Sequence, residues 1–191
     1  MKIRLLMPCL LLILCACGVL QPVKDISVRH MLEPIVPDRE LTASKPAIAI
    51  KHPSLPGYLD RLQLVTLTGG VLVLSDHDLW AESLGTAISR VTASNLSRIS
   101  RSMNIQPVEN FITLDYTSLL EIKIARLDPD LSNQIIFQGT WKLQSVTEKE
   151  TRTRYFHISV PITSTPDIMT GRVNAINQAL EQLARQIARY W

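Results

Sequence analysis

Three cysteines, Cys9, Cys15 and Cys17, fall within the first seventeen positions, and the rest of the 191-residue chain has none. A thiol can pair in a disulfide, ligate a metal or act as a nucleophile, and each use needs partners at a defined spacing. Cys15 and Cys17 would supply only part of a tetrahedral metal site, and no further cysteine or clustered histidine completes it. The four histidines, at 30, 52, 77 and 157, show no ligand-like spacing. Asp76-His77-Asp78 is the densest cluster of acid–base groups, and a polar turn whose aspartate caps a following helix accounts for it without catalysis. Asp128-Pro129-Asp130 reads as a turn, and His157 falls on the polar face of an alternating strand. The chain has no G-x-S-x-G elbow, no H-E-x-x-H, no P-loop and no G-x-G-x-x-G. The residues therefore point to no catalytic group, no metal site and no cofactor, and the expectation is that the protein is not an enzyme.

The cysteines gain meaning from their surroundings. Lys2 and Arg4 precede an apolar run from Leu5 to about Cys15, interrupted by Pro8. That run is shorter than the roughly 20 residues a bilayer-spanning helix needs, and it has the layout of a secretory signal. The A-x-A cleavage site of an ordinary signal is missing. Leu14-Cys15-Ala16-Cys17 instead resembles the bacterial lipobox, in which the final cysteine becomes the acylated N-terminus. On this reading residues 1–16 form a lipoprotein signal peptide, Cys17 carries the covalent lipid, and residues 17–25 form a tether. The alternative is an ordinary signal peptide in which the cysteines are merely small apolar residues. A single acyl chain anchors only marginally, whereas the three chains of a bacterial lipoprotein make attachment permanent. Gly18, where an aspartate would retain the protein in the inner membrane, favours the outer membrane on its periplasmic face.

Charge excludes one class of partner. The full chain has 20 basic and 17 acidic side chains; without Lys2 and Arg4 the balance is 18 to 17, or +1. So even a balance gives no electrostatic footprint for nucleic acid. After the signal, Cys17 is the sole cysteine, so no intrachain disulfide forms. A domain of this length can bury an adequate core without one.

The positioning elements follow from periodicity. Residues 26–32 and 47–51 read as short strands, separated by a loop containing Pro34, Pro37 and Pro46. LQLVTLTGGVLVLSD reads as a hairpin around Gly69-Gly70. From about Trp80 to Ser102 the spacing of Leu84, Ile88, Val91, Leu96 and Ile99 predicts a helix, capped by Asp76 or Asp78. Arg90, Arg98 and Arg101 read as its solvated face. Gln106-Pro107 falls in the exit loop. LLEIKIARL, IIFQGTWKLQS and RYFHISVPI alternate as an antiparallel meander. A last amphipathic helix begins near Asp167, with a seam through Val173, Ile176, Leu180, Leu183, Ile187 and Tyr190. That seam serves either as core or as an interface. The whole predicts a single α+β domain over 26–191, a mostly antiparallel sheet with two main helices on one face.

Several stretches together resemble one family. They are LPGYLDRLQLV at 55–65, WAESLGTAISRVTASNL at 80–96, Asp115-Tyr116 before a strand, FQGTWKL at 137–143, and ALEQLARQIA at 179–188. In order and spacing they are similar to the ABC-type transport auxiliary lipoproteins, the paraquat-inducible protein C (PqiC, YmbA) family. Leu62 departs from the proline that the family often has after the arginine, and the residues after Gly69-Gly70 also differ. The resemblance implies an outer-membrane lipoprotein that docks the periplasmic tunnel of an MCE-domain protein (PqiB-like) in intermembrane lipid transport, supporting envelope integrity. It implies an MCE-domain tunnel protein as partner, outer-membrane lipids around the acyl anchor, a ring of identical copies at the tunnel mouth, and no catalytic residues. Tyr58, Leu59 and Arg61, in a proline-flanked loop, and Trp80 are the candidate partner-binding residues, since aromatic and arginine side chains make strong interface anchors. Two other readings stay open: a periplasmic module that itself carries a lipid between sheet and helices, and an assembly lipoprotein of another envelope complex.

Overall fold

The computed structural model describes residues 25–42, 47–110, 116–148, 150–163 and 167–190. The signal segment 1–16, Cys17, most of the tether and Asp115 lie outside the described residues.

The meander forms as its alternation predicts. Strands β6 (Ser118–Pro129), β7 (Gln134–Ser145) and β8 (Thr151–Pro161) pair antiparallel. Leu120, Ile122, Ile124, Phe137, Trp141, Phe156, Ile158 and Val160 are buried on one face. Glu121, Lys123, Lys142, Tyr155 and His157 occupy the other. A bulge between Ile124 and Arg126 shifts the register, so Leu127 rather than Arg126 faces inward beside Phe137. Gly139 lies opposite Ile124 in the central strand. A β-carbon there would stand 2.2 Å from the Lys123 carbonyl oxygen and 2.8 Å from the Phe156 ring. The absent side chain is what lets these strands and rings close together.

Strands β2 (Ile48–Ile50) and β5 (Ile105–Pro107) extend this sheet to five, in the order β5-β2-β6-β7-β8. Both pairings of β2 are parallel. The segment read as an exit loop at Gln106-Pro107 is thus an edge strand, held by a partner more than fifty residues upstream. A second sheet holds β1 (Val28–His30), β4 (Val71–Trp80) and β3 (Gln63–Thr68), in the order β1-β4-β3, with β1 parallel to β4. The class is α+β in a single domain, with two mixed sheets where one mostly antiparallel sheet was expected. The parallel pairs join segments distant in sequence, and no local pattern reports them.

Helix α1 (Leu84–Ser100) and helix α2 (Ile168–Ala188) pack against each other, with α2 over β7 and β8 and α1 beside β5. Helix α2 begins where expected, and Asp167 caps it, its carboxylate accepting from the Met169 and Thr170 amides. The cap of α1 differs from expectation. Ser83 accepts from the Thr86 amide at 3.2 Å, while Asp76 and Asp78 belong to β4. Val173, Ile176, Leu180, Leu183 and Ile187 are buried, so the seam of α2 is core.

The arginines of α1 also differ from the reading of a solvated face. Arg90 donates to the Leu32 carbonyl at 2.8 Å and to Glu82, and Arg98 donates to the Val36 carbonyl at 2.6 Å and pairs with Asp38. Two buried asparagines finish the attachment: Asn177 accepts from the Glu33 amide at 3.0 Å and Asn95 from the Val36 amide at 3.3 Å. An irregular segment from Leu32 to Asp38 is thereby strapped across both helices.

Candidate functional site

The β3–β4 hairpin is a ribbon at one end of the domain. Gly69 and Gly70 have φ of 58° and 81°, the left-handed conformation that a two-residue hairpin turn requires and a β-carbon disfavours. Cross-strand pairs Val65–Leu74 and Leu67–Leu72 share one face of the ribbon, and Val73, opposite Thr66, lies on the other. Val71, Leu72, Val73 and Leu74 are all exposed, at 62, 36, 55 and 38 %. No charged residue occurs between Arg61 and Asp76.

Beneath the ribbon lies an apolar cleft, lined among others by Leu59, Leu64, Trp80, Leu127, Ile176 and Arg172. It leaves about 20 Å³, room for one water molecule. Arg172, on the first turn of α2, reaches across it and donates to Thr66 Oγ1 at 2.7 Å. Its Nε is buried without a hydrogen-bond partner among the described residues, and burial lowers the pKa of the guanidinium.

Asp128 closes one wall. It is buried, and its carboxylate accepts from Tyr58 Oη at 2.9 Å and from Arg126 Nε and Nη2 at 2.9 and 2.8 Å. Burial, followed by the bond to this carboxylate, pushes the Tyr58 phenol up to about 12. The carboxylate in turn raises the Arg126 pKa. This is a satisfied ion pair that ties the 56–61 loop to the end of β6. Asp130, its companion in the turn, accepts from the Ser132 and Gln134 amides, as a turn aspartate does.

The candidate binding residues come together here, mostly from the inside. Leu59 and Trp80 are buried at 2 and 5 % exposure, Tyr58 is half-buried with its hydroxyl committed to Asp128, and Arg61 keeps a buried Nε without a partner among the described residues. Cys17, the candidate lipidation site, lies outside the described residues. Asp78 is no helix cap. It accepts from His30 Nε2 at 2.8 Å and from Ser75 Oγ at 2.7 Å, joining β1 to β4. The His30 bond, ahead of the Ser75 bond, holds its carboxyl below the usual aspartate range. Sequence reasoning missed Arg172, Asn95 and Asn177. The asparagines carried a signal, because each interrupts a helical face otherwise made of apolar residues.

The opposite end has different chemistry. Where β7 meets β8, Thr117, Ser145, Glu148, Glu150, Arg152 and Tyr190 surround an open polar depression of about 360 Å³. Arg152 pairs with Glu150 and donates to the Tyr190 carbonyl, and Arg154 stacks over the Tyr190 ring at 5.4 Å. Among the described residues no group of three or more His, Cys, Asp and Glu side chains is placed to hold a metal, and no helix is long and apolar enough to cross a membrane.

The fold recurs in solved structures. One, a crystal structure titled only as an uncharacterized protein, superposes with a TM-score of 0.64 at 19 % identity, covering 84 % of this chain and 98 % of the other. Protein XCC0632 from Xanthomonas campestris, of the family DUF330, gives 0.58 at 16 % identity, covering 87 and 92 %. PelC from Paraburkholderia phytofirmans, solved as a dodecamer, is remoter, at 0.36 and 12 % identity over 74 and 90 %. No protein of curated function matches the sequence. The model of the ABC-type transport auxiliary lipoprotein component matches residues 30–188, from the last residue of β1 to the last of α2, and the chain belongs to that family.

Proposed function

We propose that this protein is an outer-membrane lipoprotein, held on the periplasmic face through acylated Cys17, that receives the distal end of an MCE-domain tunnel in an intermembrane lipid transport system. The observation that carries this reading is the family match across nearly the whole folded domain. An auxiliary lipoprotein of a transport system works through a transport complex, and the lipobox-like Leu14-Cys15-Ala16-Cys17 supplies its anchor. Copies closing into a ring would suit a tunnel mouth, since closed cyclic symmetry leaves no unpaired interface.

The work is done by contact rather than by catalysis. In support, the charged groups that the sequence offered for chemistry are engaged in holding the fold: Asp78 with His30, and Asp128 with Tyr58 and Arg126. The apolar cleft beneath the ribbon leaves about 20 Å³, room for one water molecule rather than for a lipid chain.

Affinity purification of the full-length protein from its native envelope, after mild crosslinking, tests the proposal. Recovery of an MCE-domain protein is the expected result. Recovery of other envelope machinery without one would replace it with an assembly role.

A further inference from the structure

We propose that the tip of the β3–β4 ribbon enters the headgroup layer of the same membrane that holds the lipidated N-terminus, and so fixes which end of the domain faces the bilayer. The inference rests on the Cys17 anchor given above.

The ribbon's chemistry comes first. Single exposed apolar side chains are ordinary on a protein surface, but a contiguous group marks a surface that meets something other than water. Val71 to Leu74 are exposed in an unbroken row, so both faces of the strand present apolar side chains. A ribbon packed on the body would bury one of these faces and leave the other polar. The first charge-bearing positions on either side are Arg61 and Asp76, with exposed His77 next. Asp76 and His77 are exposed behind the tip, and Arg172 bonds Thr66 at its flank.

Direction identifies the occupant. β1 runs parallel to β4, with Val28 beside Asp78 and His30 beside Trp80. The chain upstream of Val28 therefore arrives from the side of β4 that leads to the Gly69-Gly70 turn. From Asp78 back to Val71 is seven residues, a rise of about 23 Å. From Cys17 to Val28 is eleven residues, a reach of at most about 36 Å. That reach exceeds the distance back to the tip, so it allows a bilayer holding Cys17 to lie at the end of the ribbon. A lipid surface is the apolar partner that the anchor itself brings to that place.

The backbone limits the depth. Among the described residues, β1 pairs with β4 only at Asp78–Trp80, which leaves the edge from Val71 to His77 unpaired on the side away from β3. Unpaired backbone groups are costly in hydrocarbon. The ribbon therefore stops at the boundary of headgroups and acyl chains, where water still reaches its edge. The β7–β8 end is then held away from the membrane. Arg172, bonded to Thr66, is separated from Ala188, two residues before Tyr190, by about 24 Å of helix α2.

The test uses full-length protein carrying its own anchor, reconstituted into vesicles of phosphatidylethanolamine and phosphatidylglycerol. Val73→Cys places a thiol on the tip for an environment-sensitive fluorophore, and Val146→Cys, exposed at the opposite end, is the control. Spin-labelled lipid, with the label near the top of the acyl chain, should quench the Val73 probe at least about twofold and leave the Val146 probe unchanged, as interfacial insertion requires. Equal, weak quenching at both positions overturns the inference. So does a Val73 probe that is blue-shifted but unquenched, because that result assigns the ribbon to a protein partner or a second copy. The mass of the N-terminal peptide separates the two readings. An acylated Cys17 with an unquenched tip overturns the ribbon inference alone, whereas an unacylated Cys17 overturns the anchor and, with it, the argument from direction.

Discussion

At one end of this domain a β-ribbon projects Val71, Leu72, Val73 and Leu74 into solvent with no charge between Arg61 and Asp76. At the other, Glu148, Glu150, Arg152, Arg154 and Arg189 crowd the β7–β8 connection and the last turn of α2. The two ends also differ in how they are held. The ribbon end is fastened by buried or half-buried polar groups: Asp128 with Tyr58 and Arg126, and Arg172 with Thr66. The far end relies on exposed ion pairs, Arg152 with Glu150 among them, with side chains 42 and 54 % accessible. A buried ion pair costs heavily to break, whereas an exposed pair contributes little. On the proposal above, the firmly fastened, uncharged tip is the end that meets the membrane.

Each difference can be tested by substitution. The largest effect is expected at Asp128. Asp128→Ala strips a buried carboxylate from Tyr58 and Arg126 and should lower the unfolding free energy by about 3 kcal/mol, read by urea denaturation. A loss below about 1 kcal/mol would mean that the ribbon end is not fastened as described. Gly139→Ala, in the sheet that both ends share, should cost roughly 1–3 kcal/mol, because the new methyl group collides with the Lys123 carbonyl and the Phe156 ring.

Asp78→Ala removes the tie between β1 and β4 and should cost about 1–2 kcal/mol at neutral pH. Its pH dependence has a definite sign. The Asp78 carboxyl is held below its ordinary value, so its contribution is complete above the unfolded pKa of about 3.9 and disappears as pH falls through the lower folded value. The gap between wild type and variant should therefore be constant from neutral pH down to about pH 5 and close only below about pH 4. A gap that stays open well below about pH 3 would mean that the Asp78 carboxylate does not make the tie.

The smallest effects separate the ends by function. Val73→Ser at the tip and Glu150→Ala at the far end should each change stability by less than about 0.5 kcal/mol, since both side chains are exposed. Only the tip change should weaken lipid quenching of a probe placed at Val71. Equal behaviour of the two variants at the membrane would dissolve the contrast.

Much of the fold was legible because much of it is local. Two-residue alternation in β6, β7 and β8, the glycine pair at the hairpin turn, the start of α2 near Asp167 and its seam all depend on residues close in sequence. The cap of α1 was misplaced because β4 runs on through Ser75-Asp76-His77-Asp78, which local chemistry favours as a turn. That strand is held by pairing with β1, where Val28 lies opposite Asp78 from fifty residues upstream. The strap at 32–38 was hidden for the same reason: Arg90 and Arg98 are ordinary helix-surface residues until a distant segment presents its carbonyls to them.

By itself the sequence determined the anchor-like cysteine segment, the near-neutral charge, the succession of elements and the family resemblance, because each is written in composition, period or motif. Tertiary structure alone decided that the strands part into two sheets, that Leu59 and Trp80 are core, and that the uncharged ribbon projects from the side by which β1 is entered. Those outcomes depend on which distant segments share hydrogen bonds and buried area. Pairing across the chain is a property of the folded whole, and no window of sequence contains it.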